Sequence, residues 1–181
     1  LTNDTVSVPM ISTATEIYSS ALICPQYLVA LSAAARVHEI YALVNIDERL
    51  DCTKENHGED CPEENCPDEK TYLFNTNVVF DRNGAVIDRY RKINTFLEPQ
   101  ITPSLDKRLG VFSTDFGVTF GHMICFDILF QKPTVQLVQQ HRIQDLLFPT
   151  MWLSELPFAT GWFISVQVCG GIFAGYLMVY I

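Results

Sequence analysis

The most informative stretch of this chain reads Gly121-His122-Met123-Ile124-Cys125-Phe126-Asp127-Ile128-Leu129-Phe130. The β-branched and aromatic residues 118–120 just before it predict a buried strand that ends at Cys125. A cysteine at the end of such a strand, where the chain turns, suits a nucleophile, because the strand fixes its position and nearby backbone N–H groups can receive an oxyanion. The alternative is a buried cysteine that acts as a small hydrophobic residue.

A second segment, residues 88–99, bears on this choice and reads Asp-Arg-Tyr-Arg-Lys-Ile-Asn-Thr-Phe-Leu-Glu-Pro. Together the two segments resemble the carbon–nitrogen hydrolase (nitrilase) superfamily, in which a lysine at a Tyr-Arg-Lys-type strand end precedes the nucleophilic cysteine. Residues 72–84 and 148–152 are similar to signature segments of the vanin and biotinidase branch, and especially of its insect vanin-like members. The resemblance covers residues 28–156.

The resemblance implies a Glu-Lys-Cys active site that cleaves amide or nitrile C–N bonds without a cofactor or metal. Cys125 would attack the substrate carbonyl, and the Lys92 ammonium would stabilise the thiolate and the developing oxyanion. Glu98 looks like the second glutamate that many members place behind the lysine, where it would position Lys92 or the substrate; a solvated loop glutamate is the alternative. The general-base glutamate is not found, because neither Glu16 nor Glu39 stands in the Pro-Glu strand end that carries it.

The substrate class that this branch implies is a small linear amide, such as pantetheine or biocytin. A different class of function is also open, in which the chain keeps the scaffold and acts as a non-catalytic secreted or membrane-anchored interaction protein. The composition fits a globular domain, since 48% of the 181 residues are hydrophobic.

The net charge of −9 argues against nucleic acid and against anionic membrane surfaces as partners. Acidic residues dominate residues 47–69, which indicates one solvated loop.

Three of the six cysteines, Cys52, Cys61 and Cys66, lie in this acidic loop. A polar loop offers no hydrophobic reason for cysteine, so disulfides or a metal remain. Zinc would recruit His57, but no Cys-x-x-Cys spacing is present. The vanin resemblance favours a Cys52–Cys66 disulfide.

The sequon at Asn3 is compatible with glycosylation and with a secreted or extracellular-surface location. No signal-peptide pattern opens the chain, and we expect a fragment or processed piece of a longer protein. We expect a partial carbon–nitrogen hydrolase domain over residues 1–157, followed by an apolar tail at 158–181. Residues 156–181 carry no charge and could span a bilayer, although Gln167 and several glycines weaken the run. We favour a truncated or divergent end, with membrane attachment through the tail or a lipid anchor left open.

Hydrophobic periodicity and turn signals predict alternating helices and strands, and therefore an α/β or layered α+β class. The resemblance implies a partial α-β-β-α sandwich. Predicted helices cover 25–38 and 133–141, the second with Val135 and Val138 inward. Predicted strands cover 40–46 (buried on both faces), 72–80, 85–91, 111–113, 117–125 and 145–149, with an Asn83-Gly84 hairpin turn.

Overall fold

Two three-stranded β-sheets form the centre of the structure, a computed structural model that describes residues 25–52 and 70–150. The elements in chain order are α1 (Pro25–Val37), β1 (Ala42–Cys52), β2 (Lys70–Phe80), β3 (Val86–Arg91), β4 (Gly110–Ser113), β5 (Thr119–His122), a 3₁₀ helix (Cys125–Leu129), a π-type turn (Gln131–Val135), α2 (Gln136–His141) and β6 (Asp145–Leu147). This alternation confirms the predicted layered α/β class.

The first sheet has the order β1-β2-β3, and both of its strand pairs are antiparallel. The β2–β3 hairpin turns at Gly84, whose φ of 78° is the left-handed conformation that a tight Asn-Gly turn requires. Side chains alternate across β2, so its two faces have different neighbours. Val78 and Phe80 pack against Leu28 and Ala35 of α1.

The opposite face of the first sheet packs towards the second sheet, in which β5 pairs antiparallel with β4 and parallel with β6. Tyr90 of β3 belongs to an apolar core with Met123 and Ile124, which follow β5, and with Leu137 of α2 and Leu146 of β6. The end of β3 and the segment after β5 therefore share one core. Lys92 directly follows β3, and Cys125 packs against this core.

Several boundaries differ from the sequence prediction. Strand β1 continues through residues 47–52, which we placed in the acidic loop; residues 53–69 lie outside the described part. The expectation that 40–46 is buried on both faces is wrong for the described residues, since β1 is an edge strand and Asn45 is exposed. Strand β5 ends at His122, so Cys125 begins a 3₁₀ helix rather than ending a strand.

The helix after residue 130 also differs from the prediction. A π-type turn precedes α2, and Lys132 inside it has extended φ and ψ angles. The helical phase therefore starts later than a continuous helix from residue 133 would give. Val135 points outward at 37% exposure, Val138 is partly buried, and Leu137 takes the inward position.

Within residues 25–52 and 70–150, no helix combines the length and the apolar character that a bilayer crossing needs. The apolar tail expected at 158–181 lies outside the described residues.

Candidate active site

Lys92 follows the last residue of β3 and extends the strand by one more main-chain bond, from its amide to the Asn75 carbonyl at 2.8 Å. Its carbonyl accepts the Ser104 amide at 2.9 Å, so the backbone is held on both sides. The side chain is only 2% exposed, and its ammonium donates to Oε2 of Glu98 at 2.5 Å. Lysine is almost never this buried without a partner. The structure therefore rejects a surface role for Lys92.

Glu98 lies in the turn region after Lys92 and is partly buried, with 25% of its side chain exposed. Its Oε2 also accepts the Phe96 amide at 2.9 Å, and its Oε1 accepts Nδ2 of Asn75 at 3.2 Å. Burial alone would raise the pKa of Glu98, but the hydrogen bonds from Lys92 and from the Phe96 amide outweigh it and lower the pKa below its ordinary value. Glu98 is thus built to stay ionised next to the ammonium, and it is not a solvated loop residue.

Cys125 is a reduced, half-buried cysteine at the first position of the 3₁₀ helix. Its φ of 46° lies in the left-handed region, which is uncommon for a residue with a Cβ. Its own amide donates to the Pro149 carbonyl at 3.0 Å. This amide is therefore not one of the backbone N–H groups near Cys125 that the sequence led us to expect as oxyanion donors.

The neighbouring amides of this turn can be accounted for in the same way. The Ile124 amide donates to Asp127 Oδ2 at 3.2 Å, and the Asp127 amide donates to the Ile124 carbonyl at 3.0 Å. The Phe126 amide is the one in residues 124–127 for which the described segments supply no acceptor.

Asp127 joins the lysine segment to the cysteine turn. Its buried carboxylate accepts the Tyr90 hydroxyl at 2.7 Å, the Asn94 amide at 2.8 Å and the Asn94 side chain at 2.9 Å. Burial raises the pKa of Asp127 above its ordinary value, against the lowering effect of these hydrogen bonds. Burial, with the charge of Asp127, also raises the pKa of the Tyr90 hydroxyl, which keeps it a donor. Sequence reasoning gave no hint of the role of Asn94.

Aromatic rings lie beside the cysteine. The Phe126 ring is 4.8 Å from that of Phe96 and 5.1 Å from that of Phe130, measured between centroids. Phe96 and Phe130 remain 45% and 37% exposed, so the group is packed but not sealed. Trp152, in the signature segment 148–152, lies outside the described residues.

His122 is fully buried three residues before Cys125, and both of its ring nitrogens face other partners. Its Nε2 lies 2.8 Å from Asp88 Oδ2, and its Nδ1 lies 3.4 Å from Asn77 Nδ2. These contacts occupy both ring nitrogens of His122. Asp88 and Asn77 were missed, and no local pattern in the sequence signals them.

A second buried ion pair lies next to the lysine and was also missed. Glu48 of β1 is fully buried, accepts Arg91 Nη2 at 2.5 Å and Nε at 2.9 Å, and receives the Thr76 hydroxyl at 2.8 Å. No strand was predicted at residue 48, so its charged side chain at an inward strand position went unrecognised. This pair fixes the residue directly before Lys92.

Several predicted positions cannot be placed. Cys66, Asn3 and Glu16 lie outside the described residues, as do the cysteines and the histidine of the zinc alternative, apart from Cys52 at the end of β1. Glu39 is exposed. In the described segments, no group of three or more His, Cys, Asp or Glu side chains could hold a metal.

The model of the carbon–nitrogen hydrolase family matches residues 9–174, a stretch that contains every element described above. The chain belongs to the carbon–nitrogen hydrolase family. The resemblance stated from its motifs is thereby confirmed.

Within that family the chain is 47% identical over 137 residues to vanin-like protein 2 of Drosophila melanogaster, 37% identical over 132 residues to biotinidase of Bos taurus, and 35% identical over 145 residues to pantetheinase of Homo sapiens. These matches cover 75%, 73% and 76% of this chain but 25%, 24% and 27% of the respective relatives. The chain therefore spans about a quarter of the length of the curated relatives it matches.

Among solved structures, the fold is similar to that of an amidase from Nesterenkonia sp., with a TM-score of 0.57 at 19% sequence identity. The match covers 82% of this chain and 50% of the amidase. This likeness concerns the fold.

Proposed function

We propose that this chain carries the lysine and cysteine of a carbon–nitrogen hydrolase site, which hydrolyses a small linear amide through a thioester on Cys125. The observation that carries the proposal is the buried Lys92–Glu98 pair, on a segment hydrogen-bonded through Asp127 to the turn of Cys125. Burying a lysine is costly unless the charge has a use or a partner, and within the described residues the partner of Lys92 is the carboxylate of Glu98.

The Cys125 thiolate attacks the amide carbonyl carbon and forms the S–C bond, while the carbonyl π electrons move to oxygen. The Lys92 ammonium and the Phe126 amide stabilise this oxyanion. As the tetrahedral intermediate collapses, the C–N bond breaks, and the amine leaves with a proton from solvent that balances the one the Cys125 thiol lost on ionising. Water then attacks the thioester carbonyl carbon, the C–S bond breaks, and a proton of the attacking water passes to the departing sulfur, so that the acid and the Cys125 thiol are released.

Glu98 has a positioning role in this scheme. Because its lowered pKa keeps it ionised, it holds Lys92 as an ammonium in place. The described part of the chain contains three glutamates, and none of them is assigned as general base: Glu39 is exposed, Glu48 is committed to Arg91, and Glu98 to Lys92.

The substrate class rests on the relatives. Biotinidase and pantetheinase are among the proteins the chain resembles, which supports a linear amide related to biocytin or pantetheine. The sequon at Asn3 and the cysteine-rich loop support a secreted or extracellular-surface location.

A non-catalytic scaffold protein of the same family is the second candidate. The observation that favours it is that none of the three described glutamates is placed as a base. In that case Cys125 would react slowly and would form no acyl intermediate.

Alkylation of Cys125 tests the proposal without requiring a general base for turnover. A mutant of the Nesterenkonia amidase shows covalent addition of the acetamide moiety of fluoroacetamide at its active-site cysteine, so a 2-haloacetamide is a suitable probe. We expect selective modification at Cys125 and a slower rate in Lys92→Met, which keeps the volume but removes the charge. Lys107→Met is the matched control, because Lys107 is an exposed lysine.

The acyl step is tested by incubation with pantetheine and with biocytin, followed by acid quench and mass spectrometry. A thioester on Cys125 that is absent in Cys125→Ser supports the hydrolase. If the native chain, Lys92→Met and Lys107→Met are alkylated at equal rates and no thioester forms, the hydrolase proposal is wrong and the non-catalytic scaffold protein is favoured.

A further inference from the structure

The carboxylate of Asp127 uses both of its oxygens twice. Oδ1 accepts the main-chain amide and the side-chain amide of Asn94, and Oδ2 accepts the Tyr90 hydroxyl and the Ile124 amide. An ionised carboxylate offers about four acceptor positions, and here four donors occupy them. Asp127 is fully buried, so these protein groups rather than water satisfy it.

The four donors come from the two sides of the proposed active site. Tyr90 and Asn94 lie two residues before and two residues after Lys92, and Ile124 directly precedes Cys125. Tyr90 lies in β3 and Asn94 in the bend that follows the strand, and the hydrogen bonds of both reach the same carboxylate. The Asp127 carboxylate therefore accepts hydrogen bonds from residues on both sides of Lys92. It also accepts one from Ile124, at the start of the cysteine turn.

Further bonds make this connection rigid. The second hydrogen of the Asn94 side-chain amide goes to the Lys132 carbonyl at 2.9 Å. The Asp127 carbonyl accepts the Phe130 amide at 3.1 Å and the Thr134 hydroxyl at 2.8 Å. Asp127 is thus also fixed by the end of its own 3₁₀ helix and by the π-type turn after it. It therefore has little freedom to adjust if one donor is lost.

We propose that Asp127 is a positioning residue that sets the separation between the Lys92 ammonium and the Cys125 sulfur. The proposal rests on the proposed function of these two groups. Asp127 does not touch the substrate in this proposal. It acts through the two segments that it joins.

The geometry also states why the residue is an aspartate rather than an asparagine. Asparagine has the same shape but one acceptor oxygen, so its NH₂ group would face two of the four donors. Each mismatched pair leaves a buried donor without an acceptor. Asp127→Asn should therefore loosen the connection while keeping the volume, and a displacement of about 1 Å can cost up to about 100-fold in rate.

A double-mutant cycle on the 181-residue chain tests the proposal, with the rate constant of Cys125 alkylation by 2-chloroacetamide as the readout. We expect Asp127→Asn to lower this rate by about tenfold to 100-fold. We expect Lys92→Met to lower the alkylation rate in the native background. In the Asp127→Asn background the same substitution should add little, because the lysine would no longer be held beside the cysteine. A merely structural role would not change the effect of Lys92.

Asp88→Asn is the matched control. Asp88 is also a buried carboxylate of this core, and it accepts His122 Nε2, Arg108 Nη2 and the Val111 amide, none of which belongs to the cysteine turn. It should lower the urea midpoint of unfolding, yet keep the full Lys92→Met effect on alkylation.

The outcomes separate the two proposals. A full Lys92→Met effect in the Asp127→Asn background would overturn the positioning role and leave the proposed function intact. No Lys92→Met effect in the native background would overturn the proposed function itself. If Asp127→Asn does not fold, Tyr90→Phe removes one donor only; a smaller loss of rate with a reduced Lys92 effect supports the role, and an undiminished Lys92 effect overturns it.

Discussion

Oε2 of Glu98 accepts the Lys92 ammonium at 2.5 Å, although one side chain is 2% exposed and the other 25%. The lysine is therefore the partner that depends on the pair, because water cannot replace the carboxylate around it. The glutamate retains some solvent and two other donors. This asymmetry predicts which single substitution is costly.

Glu98→Gln should lower the free energy of unfolding by about 2 kcal/mol, since it leaves the Lys92 charge buried without its anion. Urea unfolding at neutral pH measures the change. Adding Lys92→Met to Glu98→Gln should recover part of the loss, because the uncompensated charge is then removed. Asp115→Asn is the control: the Arg82–Asp115 pair is exposed at 3.3 Å and should contribute less than about 1 kcal/mol. Equal losses in both glutamate and aspartate variants would contradict the argument.

The Lys92–Glu98 pair also predicts a pH dependence. The folded pKa of Glu98 lies below its ordinary value of 4.5, so the stabilisation is complete above about pH 4.5 and is lost as the pH falls through the lower folded pKa. The difference in unfolding free energy between the native chain and Glu98→Gln should be constant near neutrality and shrink on acidification. Asp127, whose pKa is raised, contributes with the opposite sign but equally in both proteins. A difference that grows towards acid would show that the sign is wrong.

Two glycines give a test of packing around His122. A Cβ on Gly110 would lie 2.7 Å from the His122 ring, and that ring is held between Asp88 and Asn77. Gly110→Ala should therefore destabilise the chain by about 1–3 kcal/mol through overpacking. Gly117→Ala meets no atom within 4 Å, but φ is 82°, so only a backbone cost of about 1–2 kcal/mol is expected. Thermal unfolding compares them, and a fluorinated-histidine or NMR signal of His122 should shift only in Gly110→Ala.

The proposed Cys52–Cys66 disulfide can be tested by non-reducing peptide mapping. Cys52 pairs with Lys70 across the β1–β2 ladder, and Cys66 precedes Lys70 by four residues in the sequence. A cross-linked peptide should persist in Cys61→Ser and vanish in Cys66→Ser, with a loss of about 3 kcal/mol. Bound zinc that a chelator removes, with no cross-linked peptide, would favour the metal alternative instead.

The parts of the fold that local patterns determine were predictable. Helix α1 was expected at 25–38 and is observed at Pro25–Val37, because its apolar positions have a helical period. The β2–β3 hairpin was read from its Asn-Gly turn. Where a tertiary partner decides, the prediction was wrong: β1 continues because all of its residues pair with β2, acidic or not.

The candidate site came from motif resemblance rather than from residue patterns. Lys92 and Cys125 are separated by long stretches of chain, and no periodicity connects them. The bonds that connect their segments pass through Asn94 and Asp127, which are ordinary loop and turn residues when read locally. Long-range hydrogen bonds of this kind leave no signature in a single sequence, and only the folded chain reveals them.

The left-handed backbone at Cys125 has a consequence for how this position tolerates replacement. Glycine adopts such a conformation without steric cost, whereas any side chain adds a cost of about 1–2 kcal/mol. Glycine also loses more backbone entropy on folding, by about 0.5–1 kcal/mol, so Cys125→Gly should resist urea better than Cys125→Ala by about 1 kcal/mol, although both lack the sulfur. The native cysteine therefore carries a local backbone strain that glycine would not, and the rest of the fold offsets it.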